Sequence, residues 1–328
     1  MRDFKAYKDA IVVTGASGFI GSNIVRTLNE KGFTDIVVVD ELGTDEKWKN
    51  LRGLNYREFI HKDDFIREIR DRGGVKPKSI IHMGACSATT ERNADFLLRN
   101  NFEYTRDLCE WAVEWEARFI TASSAATYGD GLLGYSDEDA VTPTLRPLNM
   151  YGYSKQMFDE WALRNGVYTK IVGLKFFNVF GPGEAHKGDM RSVVHKAYHE
   201  VLKTGAISLF RSGKPEYKDG EQKRDFVYVK DAVDVVLWFL DHPNANGLFN
   251  CGSGRAQTWL DLANAVFAAM KRAPKINWID MPETLAGKYQ YFTQADATKL
   301  KRSGYTREFM KLNDSVADYV KQLELEHD

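Results

Sequence analysis

The stretch Thr14-Gly15-Ala16-Ser17-Gly18-Phe19-Ile20-Gly21 decides the fold of this chain. It follows a short apolar run rich in β-branched residues, 10–15, which is typical of a buried parallel strand, and it precedes a helix-compatible stretch. A strand, a glycine turn and a helix bring backbone N–H groups and a helix N-terminus against a pyrophosphate. Gly15 is expected to allow the tight turn, Gly18 the close approach of phosphates and Gly21 the close packing of the helix.

A second apolar strand, 35–40, ends in Asp40, roughly 20 residues past the glycines, where an acid binds ribose hydroxyls. Such an acid favours NAD, because it repels the 2′-phosphate of NADP. Cations that can neutralise that phosphate follow it in the chain: Lys47, Lys49, Arg52 and Lys62. The residues alone therefore leave the choice between NAD and NADP open.

A further strand, 118–124, ends in Ser124, and the end of such a strand lies beside the cofactor in an open parallel sheet. Tyr151 and Lys155 are four residues apart, so on a helix they share one face. A phenol with a pKa near ~10 must shift by roughly 3 units to act as a base at neutral pH. The Lys155 ammonium and a cationic nicotinamide ring can together favour the phenolate. The pattern indicates a proton-handling site, in which a serine hydroxyl orients the substrate oxygen.

These features together resemble the extended short-chain dehydrogenases/reductases. Five further segments narrow the resemblance to the ADP-L-glycero-D-manno-heptose 6-epimerases, and these are 84–90, 122–129, 177–188, 224–229 and 289–296. The resemblance implies inversion of C6 of an ADP-bound heptose by transient oxidation to a 6-keto intermediate. It implies bound NADP as the cofactor, with NAD as the other possibility, and lipopolysaccharide core precursor synthesis as the pathway.

The resemblance also implies roles for individual residues. Ser124 orients the substrate, Tyr151 and Lys187 act as two acid/base groups, and Lys155 holds the nicotinamide ribose and tunes Tyr151. Cofactor contacts are expected at Gly15, Gly18, Phe19, Ile20, Gly21, Asp40, Glu41, Lys47, Lys62, Gly84, Ala85, Cys86, Ser87, Asn100, Lys155, Val179 and Lys187. Substrate contacts are expected at Asn178, Phe210, Arg211, Ser212, Arg224 and Tyr289. Without the resemblance, Lys187 is a loop lysine that contacts a phosphate, and Arg224 either clamps a phosphate or pairs with the neighbouring Asp225 region.

Two other functions stay open at this point. One is a different nucleotide-sugar epimerase, such as a UDP-hexose 4-epimerase, and the other is a non-enzymatic dinucleotide sensor. Sensors of this fold commonly lack the Tyr/Lys pair that is present here. Sugar-nucleotide 4,6-dehydratases place Asp-Glu after the catalytic hydroxyl, whereas this chain has Ala125-Ala126, so dehydration is disfavoured.

Composition limits the partners. The net charge of the 328 residues is −1 and no long basic run is present, so nucleic acid is not expected as a partner. His195 and His199 lack the HExxH pattern, so no metal is expected. The three cysteines are odd in number, the N-terminal residues 1–9 lack an apolar signal region, and no stretch of 18 apolar residues occurs; these features indicate a cytoplasmic protein with no membrane span. The resemblance implies a homo-oligomer, in that family a pentamer.

The pattern of strands and helices predicts the α/β class: a Rossmann-like, doubly wound parallel sheet with a smaller, discontinuous α/β substrate domain. The dinucleotide-binding domain is expected to comprise 1–176, about 228–254 and about 290–302. The substrate domain is expected to comprise 177–227, about 255–289 and 303–328. Local predictions are one strand over 170–180, a loop over the substrate at 209–224, a helix at 231–240 and a strand at 248–252 that returns to the sheet.

Overall fold

The computed structural model describes residues 9–71, 77–282 and 289–327. Most of the charged N-terminal segment, 1–8, and the part 283–288 of the expected substrate domain lie outside the described residues. The strands are β1 (Ile11–Thr14), β2 (Ile36–Asp40), β3 (Glu58–His61), β4 (Ser79–His82), β5 (Arg118–Ser124), β6 (Val172–Phe176), β7 (Asn178–Phe180), β8 (Ile207–Phe210), β9 (Lys223–Tyr228), β10 (Gly247–Cys251), β11 (Ala256–Thr258) and β12 (Ile276–Ile279).

The helices are α1 (Phe19–Glu30), α2 (Lys62–Arg70), α3 (Ala94–Leu97), α4 (Tyr104–Glu114), α5 (Met150–Arg164), α6 (Val193–Thr204), α7 (Val229–Asp241), α8 (Trp259–Ala269), α9 (Thr298–Arg302) and α10 (Leu312–His327). Between α3 and α4 the chain continues as a π-helical segment, Leu98–Glu103. Short 3₁₀ segments include Glu46–Leu51, Ala125–Tyr128 and Ala185–Met190.

Seven strands form one sheet in the order β3-β2-β1-β4-β5-β6-β10, and all of its pairings are parallel. The chain starts at β1, runs outward through β2 and β3, then returns to β4 and runs outward the other way. That reversal beside β1 creates the crevice in which open parallel sheets bind ligands.

The two faces of the sheet bury separate cores, because successive strand side chains point to opposite faces. Val13 belongs to the core under α1 and α7, whereas its neighbour Val12 belongs to the core under α2, α4 and α5. β1, β2, β4 and β6 are buried along their whole length. A strand that is covered on both sides needs a continuous apolar run, and the run at 10–15 is of that kind.

Two smaller sheets lie beyond the main one. β9 pairs in parallel with β7 and antiparallel with β11, and β12 pairs in parallel with β8. The prediction of one strand over 170–180 is wrong, because the chain leaves the main sheet at Phe177 and continues as β7 against β9. The predicted loop at 209–224 is wrong at both ends. Leu209 and Phe210 belong to β8 and pair with β12, and residues 223–224 belong to β9 and pair with β11.

The predicted helix at 231–240 is α7, and the predicted returning strand is β10, which pairs with β6 at the edge of the main sheet. The doubly wound parallel sheet is therefore confirmed, while the division into two domains stays a prediction. Over the described ranges, no helix is both long and apolar enough to cross a membrane.

Candidate active site

A cavity of about 610 Å³ opens at the carboxyl ends of β1, β2, β4 and β5. Ser124, Tyr151, Lys155 and Lys187 all line it, although they come from three separate parts of the chain. Every residue that was expected to contact the cofactor also lines it. The fold thus brings the two sets together, and their contacts with a ligand stay predictions.

The glycine turn is shaped by backbone packing. Gly15 has a φ of +65°, and a Cβ there would lie 2.7 Å from the Cα of Gly84 at the end of β4. A Cβ on Gly21 would lie 2.1 Å from the Gly15 carbonyl oxygen. α1 begins after Gly18 with neither an acidic residue in its first turn nor a side-chain cap among the described residues. The N-terminus of α1 therefore remains available to an anionic group, and the turn fits a dinucleotide pyrophosphate.

Two acid–lysine ion pairs lie at the end of β2. The Asp40 carboxylate is buried and accepts hydrogen bonds from the Ser17 N–H at 2.9 Å and the Ser17 hydroxyl at 2.5 Å. The Lys47 ammonium lies 3.1 Å from Asp40, and the Lys62 ammonium lies 2.9 Å from Glu41. Each lysine therefore offsets one acid at the position where a ribose hydroxyl or 2′-phosphate would lie.

The first two turns of α5 hold Tyr151 and Lys155. Asn149 caps this helix by accepting a hydrogen bond from the Gly152 N–H at 2.8 Å. A Cβ on Gly152 would lie 2.7 Å from the Ala126 carbonyl oxygen, so this glycine allows α5 to approach the segment that follows Ser124. Lys155 is buried one turn after Tyr151 and donates to the Ala122 carbonyl oxygen at 2.8 Å.

Burial shifts the pKa values of both Tyr151 and Lys155. It raises the pKa of Tyr151, while a hydrogen bond with Ser124 acts in the opposite direction. Burial also lowers the pKa of Lys155 to about 8, although the Asp159 carboxylate raises it. The protein alone thus does not lower the phenol pKa in the way that base catalysis at neutral pH requires. The predicted lowering of the Tyr151 pKa stays an expectation, for which Lys155 and the positive charge of a bound nicotinamide ring are the expected causes.

Lys187 reaches the same cavity from the 3₁₀ segment Ala185–Met190. Its ammonium lies 5.2 Å from the centroid of the Phe19 ring, within range of a cation–π contact. Burial lowers the pKa of Lys187, and the nearby Glu184 raises it. A lysine whose pKa is lowered toward neutrality is better able to exchange a proton.

The six residues expected to contact the substrate lie outside the lining of this cavity. Three of them form a separate aromatic cluster around a cation. The Arg224 guanidinium lies 5.0 Å from the Tyr289 ring and 5.7 Å from the Trp259 ring, and the Phe210 and Tyr289 rings are 6.5 Å apart. The Trp259 indole N–H donates to the Tyr289 hydroxyl at 2.8 Å.

Arg224 is buried, and burial lowers its pKa. The alternative in which it pairs with Asp225 is wrong. The Asp225 carboxylate instead accepts backbone N–H groups from Ser253, Gly254 and Ala295. The Arg224 guanidinium donates to the Lys223 carbonyl oxygen at 2.9 Å and has no ion pair within the part of the chain that the structure describes.

The remaining expected substrate residues are placed differently. Arg211 is half exposed and forms an ion pair with Asp219 at 3.2 Å, and the same carboxylate accepts the Ser212 N–H. Asn178 is exposed at the start of β7, next to Val179, which lines the cavity.

Sequence reasoning missed several residues of the cavity and of the aromatic cluster. His186 and Met190 line the cavity on either side of Lys187, and Met83 precedes the expected Gly84. Their positions next to expected residues were the available signal. Trp259 had no such signal, because it is far from Tyr289 in sequence and meets it only through the tertiary fold.

The family model for the NAD dependent epimerase/dehydratase family matches residues 11–252. The chain belongs to this family, whose members depend on a nicotinamide dinucleotide. A relative from Nitratidesulfovibrio vulgaris (strain DP4), named ADP-L-glycero-D-manno-heptose-6-epimerase, is 57% identical over 314 residues, which are 95% of this chain and 97% of that relative. A relative of the same name from Fusobacterium nucleatum is 46% identical over 323 residues, which are 94% of this chain and 96% of that relative.

Solved structures agree with the fold. The crystal structure of Helicobacter pylori ADP-L-glycero-D-manno-heptose-6-epimerase matches with a TM-score of 0.81 and 26% identity, over 99% of each chain. The UDP-glucose 4-epimerase of Thermotoga maritima matches with a TM-score of 0.79 and 24% identity, over 97% of this chain and 100% of that one. The second likeness shows the shared fold only.

Proposed function

We propose that this protein is an isomerase that converts ADP-D-glycero-D-manno-heptose to ADP-L-glycero-D-manno-heptose by inverting C6 of the heptose. The observation that carries the proposal is the single cavity in which Ser124, Tyr151, Lys155 and Lys187 meet the glycine turn. The relatives of that name, which are 45–57% identical over most of the chain, favour this substrate over UDP-hexoses. The Tyr/Lys pair likewise argues against a non-enzymatic sensor.

The chemistry of C6 explains why such a site is needed. This carbon bears a hydroxyl group and no acidic proton, so direct deprotonation is not available. Oxidation to a ketone makes the carbon planar, and reduction on the opposite face then inverts it. A bound nicotinamide dinucleotide supplies the hydride acceptor and donor for this oxidation and reduction. C6 lies outside the sugar ring, so rotation about the exocyclic bond can present either face.

The chain's own residues handle the proton of the C6 oxygen. Ser124 orients that oxygen, and the phenol of Tyr151 exchanges the proton with it. The ammonium of Lys155 stabilises the phenolate form. Two orientations of the substrate call for two proton carriers, and Lys187 is the second, because it lines the same cavity from a different element.

We infer NADP as the cofactor in preference to NAD. Lys47 and Lys62 line the cavity at the end of β2 and offset the charges of Asp40 and Glu41. The same two ammonium groups can donate hydrogen bonds to a 2′-phosphate. Titration with both dinucleotides checks this inference: Lys47→Ala is expected to weaken NADP binding more than NAD binding, and equal weakening would contradict it.

The substrate nucleotide is assigned to the aromatic cluster around Arg224. A buried guanidinium with no carboxylate partner among the described residues can bind a diphosphate bidentately. The rings of Tyr289 and Phe210 offer apolar surface to an adenine. β9 carries Arg224 and pairs with β7, whose Val179 lines the cavity, so the cluster and the cavity are joined through this small sheet.

The setting of the reaction is also a proposal. Cys86, Cys109 and Cys251 are all free thiols, which supports a reducing cytoplasm. The pathway is lipopolysaccharide core synthesis. The resemblance to the epimerases supports a homo-oligomer, and light scattering of the purified protein would be expected to give the mass of a pentamer.

An NMR assay tests the proposed function. Purified protein is mixed with ADP-D-glycero-D-manno-heptose, first with no added cofactor and then with NADP or NAD. Appearance of the L-glycero epimer is the expected result. Turnover of UDP-hexoses without any change in the ADP-heptose would contradict the proposal and select a UDP-hexose 4-epimerase.

A further inference from the structure

The segment that carries Lys187, residues 181–190, is tied to the dinucleotide turn by two asparagine side chains. The Asn23 amide donates to the Pro182 carbonyl oxygen at 2.8 Å. The Asn50 amide donates to the Gly183 carbonyl oxygen at 3.0 Å. Gly183 has a φ of +93°, a backbone conformation that residues with a side chain rarely adopt, so this position beside Asn23 favours glycine.

Asn50 links the glycine turn to the segment 181–190 through one amide nitrogen. Besides Gly183, this nitrogen contacts the Ser17 carbonyl oxygen at 3.0 Å and the His186 Nδ1 at 3.3 Å. The amide nitrogen carries two hydrogens, and the two carbonyl oxygens at 3.0 Å are its shorter contacts. His186 is therefore a third, longer contact of this bridge. Burial lowers the pKa of His186, while Asp45 and a hydrogen bond with the Gly183 backbone raise it.

The far end of the segment is anchored independently. The buried Glu184 carboxylate accepts hydrogen bonds from the Gly181 N–H, the Ser192 N–H and the Ser192 hydroxyl. The Lys187 N–H donates to the Glu184 carbonyl oxygen at 3.0 Å. The Glu184 carboxylate thus joins the start of the segment to Ser192 just after its end. The Asn50 amide connects the segment to the glycine turn.

We propose that Asn50 is a positioning residue for Lys187. By joining Ser17 of the dinucleotide turn to Gly183 and His186, it fixes the distance between the cofactor turn and the Lys187 ammonium. Asn50 does not line the cavity, so it acts through Lys187 and not on the reacting atoms. The kinetic part of this proposal rests on the proposed function, in which Lys187 is the second proton carrier.

Hydrogen exchange tests the tether without any turnover. The cofactor-bound protein is compared with its Asn50→Ala variant, and backbone amide exchange is followed over 184–190. Loss of one net hydrogen bond is expected to speed exchange there by about fivefold. Asn29→Ala is the matched control, because Asn29 similarly links Phe33 and Asn55 through one amide nitrogen at the surface. Unchanged exchange over 184–190 in Asn50→Ala would overturn the proposal.

A double-mutant cycle tests the action through Lys187. Asn50→Ala is expected to lower kcat by about 10- to 100-fold with little change in KM, because a displacement of about 1 Å has effects of that size. In a Lys187→Met background the same change is expected to have little further effect. Equal losses in both backgrounds would overturn the proposal. If the unmodified protein leaves ADP-heptose unchanged, the proposed function fails, and hydrogen exchange still decides whether the tether exists.

Discussion

Tyr151 and Tyr153 lie two residues apart on α5 and differ in their surroundings. Tyr151 lines the cavity and interacts with Ser124, whereas Tyr153 is 50% exposed. Of these two tyrosines, Tyr151 is the one that lines the cavity, so we propose proton transfer for Tyr151 and not for Tyr153. The sequence alone distinguishes the two tyrosines. Tyr151 is four residues before Lys155 and shares a helix face with it, whereas Tyr153 is only two residues before Lys155.

Replacing the Tyr151 hydroxyl is the first prediction. Tyr151→Phe is expected to lower kcat by about 10²- to 10⁴-fold, since this is the usual contribution of a positioned acid/base group. Its unfolding midpoint and its cofactor content are expected to stay close to those of the unmodified protein. The rate of epimer formation by NMR is the measurement, with Tyr153→Phe as the control. A Tyr151→Phe variant as active as the control would contradict the assignment.

The pH dependence follows from Lys155, whose pKa burial lowers to about 8. A lysine is charged below its pKa, so the Lys155 ammonium, which we propose stabilises the Tyr151 phenolate, is present at neutral pH and is lost as the pH rises through about 8. We therefore expect kcat/KM to fall on the alkaline side of that value. Lys155→Arg is expected to move this fall to higher pH, because a guanidinium stays charged. The same alkaline fall in both proteins would assign it to another group.

At the scale of secondary structure, the β1–α1 turn depends on Gly21. Gly21→Ala places a methyl group 2.1 Å from the Gly15 carbonyl oxygen, and the helix must move away from the strand. We expect a clear drop in thermal stability and loss of cofactor binding. Gly32→Ala at the other end of α1 is the control, since it has open space and a φ of +84°. That control is expected to cost about 1 kcal/mol and to retain the cofactor, and an equal effect on cofactor binding would contradict the argument.

A buried ion pair connects α5 to the main sheet. The Lys175 ammonium on β6 lies 3.2 Å from the Asp159 carboxylate on α5, and both side chains have no exposed surface. Asp159 also accepts the Ser123 hydroxyl at 2.6 Å. The pair therefore fixes α5 against the strand that presents Ser124.

Breaking this pair is the fourth prediction. Lys175→Met is expected to lower the free energy of unfolding by about 3–5 kcal/mol, because it leaves a buried carboxylate without its cation. Adding Asp159→Asn removes that charge and is expected to recover part of the loss. Denaturant unfolding of the three proteins is the measurement. A double variant less stable than Lys175→Met would show that the unpaired charge is not the cause.

At the scale of the whole molecule, the main sheet is predictable from the sequence, because several of its strands are apolar runs that end at a glycine or a polar residue. Gly15 ends one run, Asp40 another and Ser124 a third, and the structure places all three at one edge of the sheet. The strand at 170–180 was misjudged, because one apolar run serves two sheets and only tertiary pairing divides it at Phe177.

Part of the candidate site was likewise predictable from the sequence. Lys187 was assigned by resemblance and lies in the same cavity as Tyr151. Asn50 and Trp259 were not predictable, because each acts through partners distant in sequence. The raised pKa of Tyr151 was also beyond the sequence, since it depends on burial in the finished fold.

The central claim is that C6 is inverted by oxidation and reduction within one site. The most direct test is NMR of ADP-D-glycero-D-manno-heptose incubated with the cofactor-bound protein in D₂O. We predict that the L-glycero epimer forms with its original hydrogen retained at C6, because that hydrogen leaves and returns without reaching solvent. An L-glycero product carrying deuterium at C6 would contradict this mechanism and indicate direct proton exchange instead.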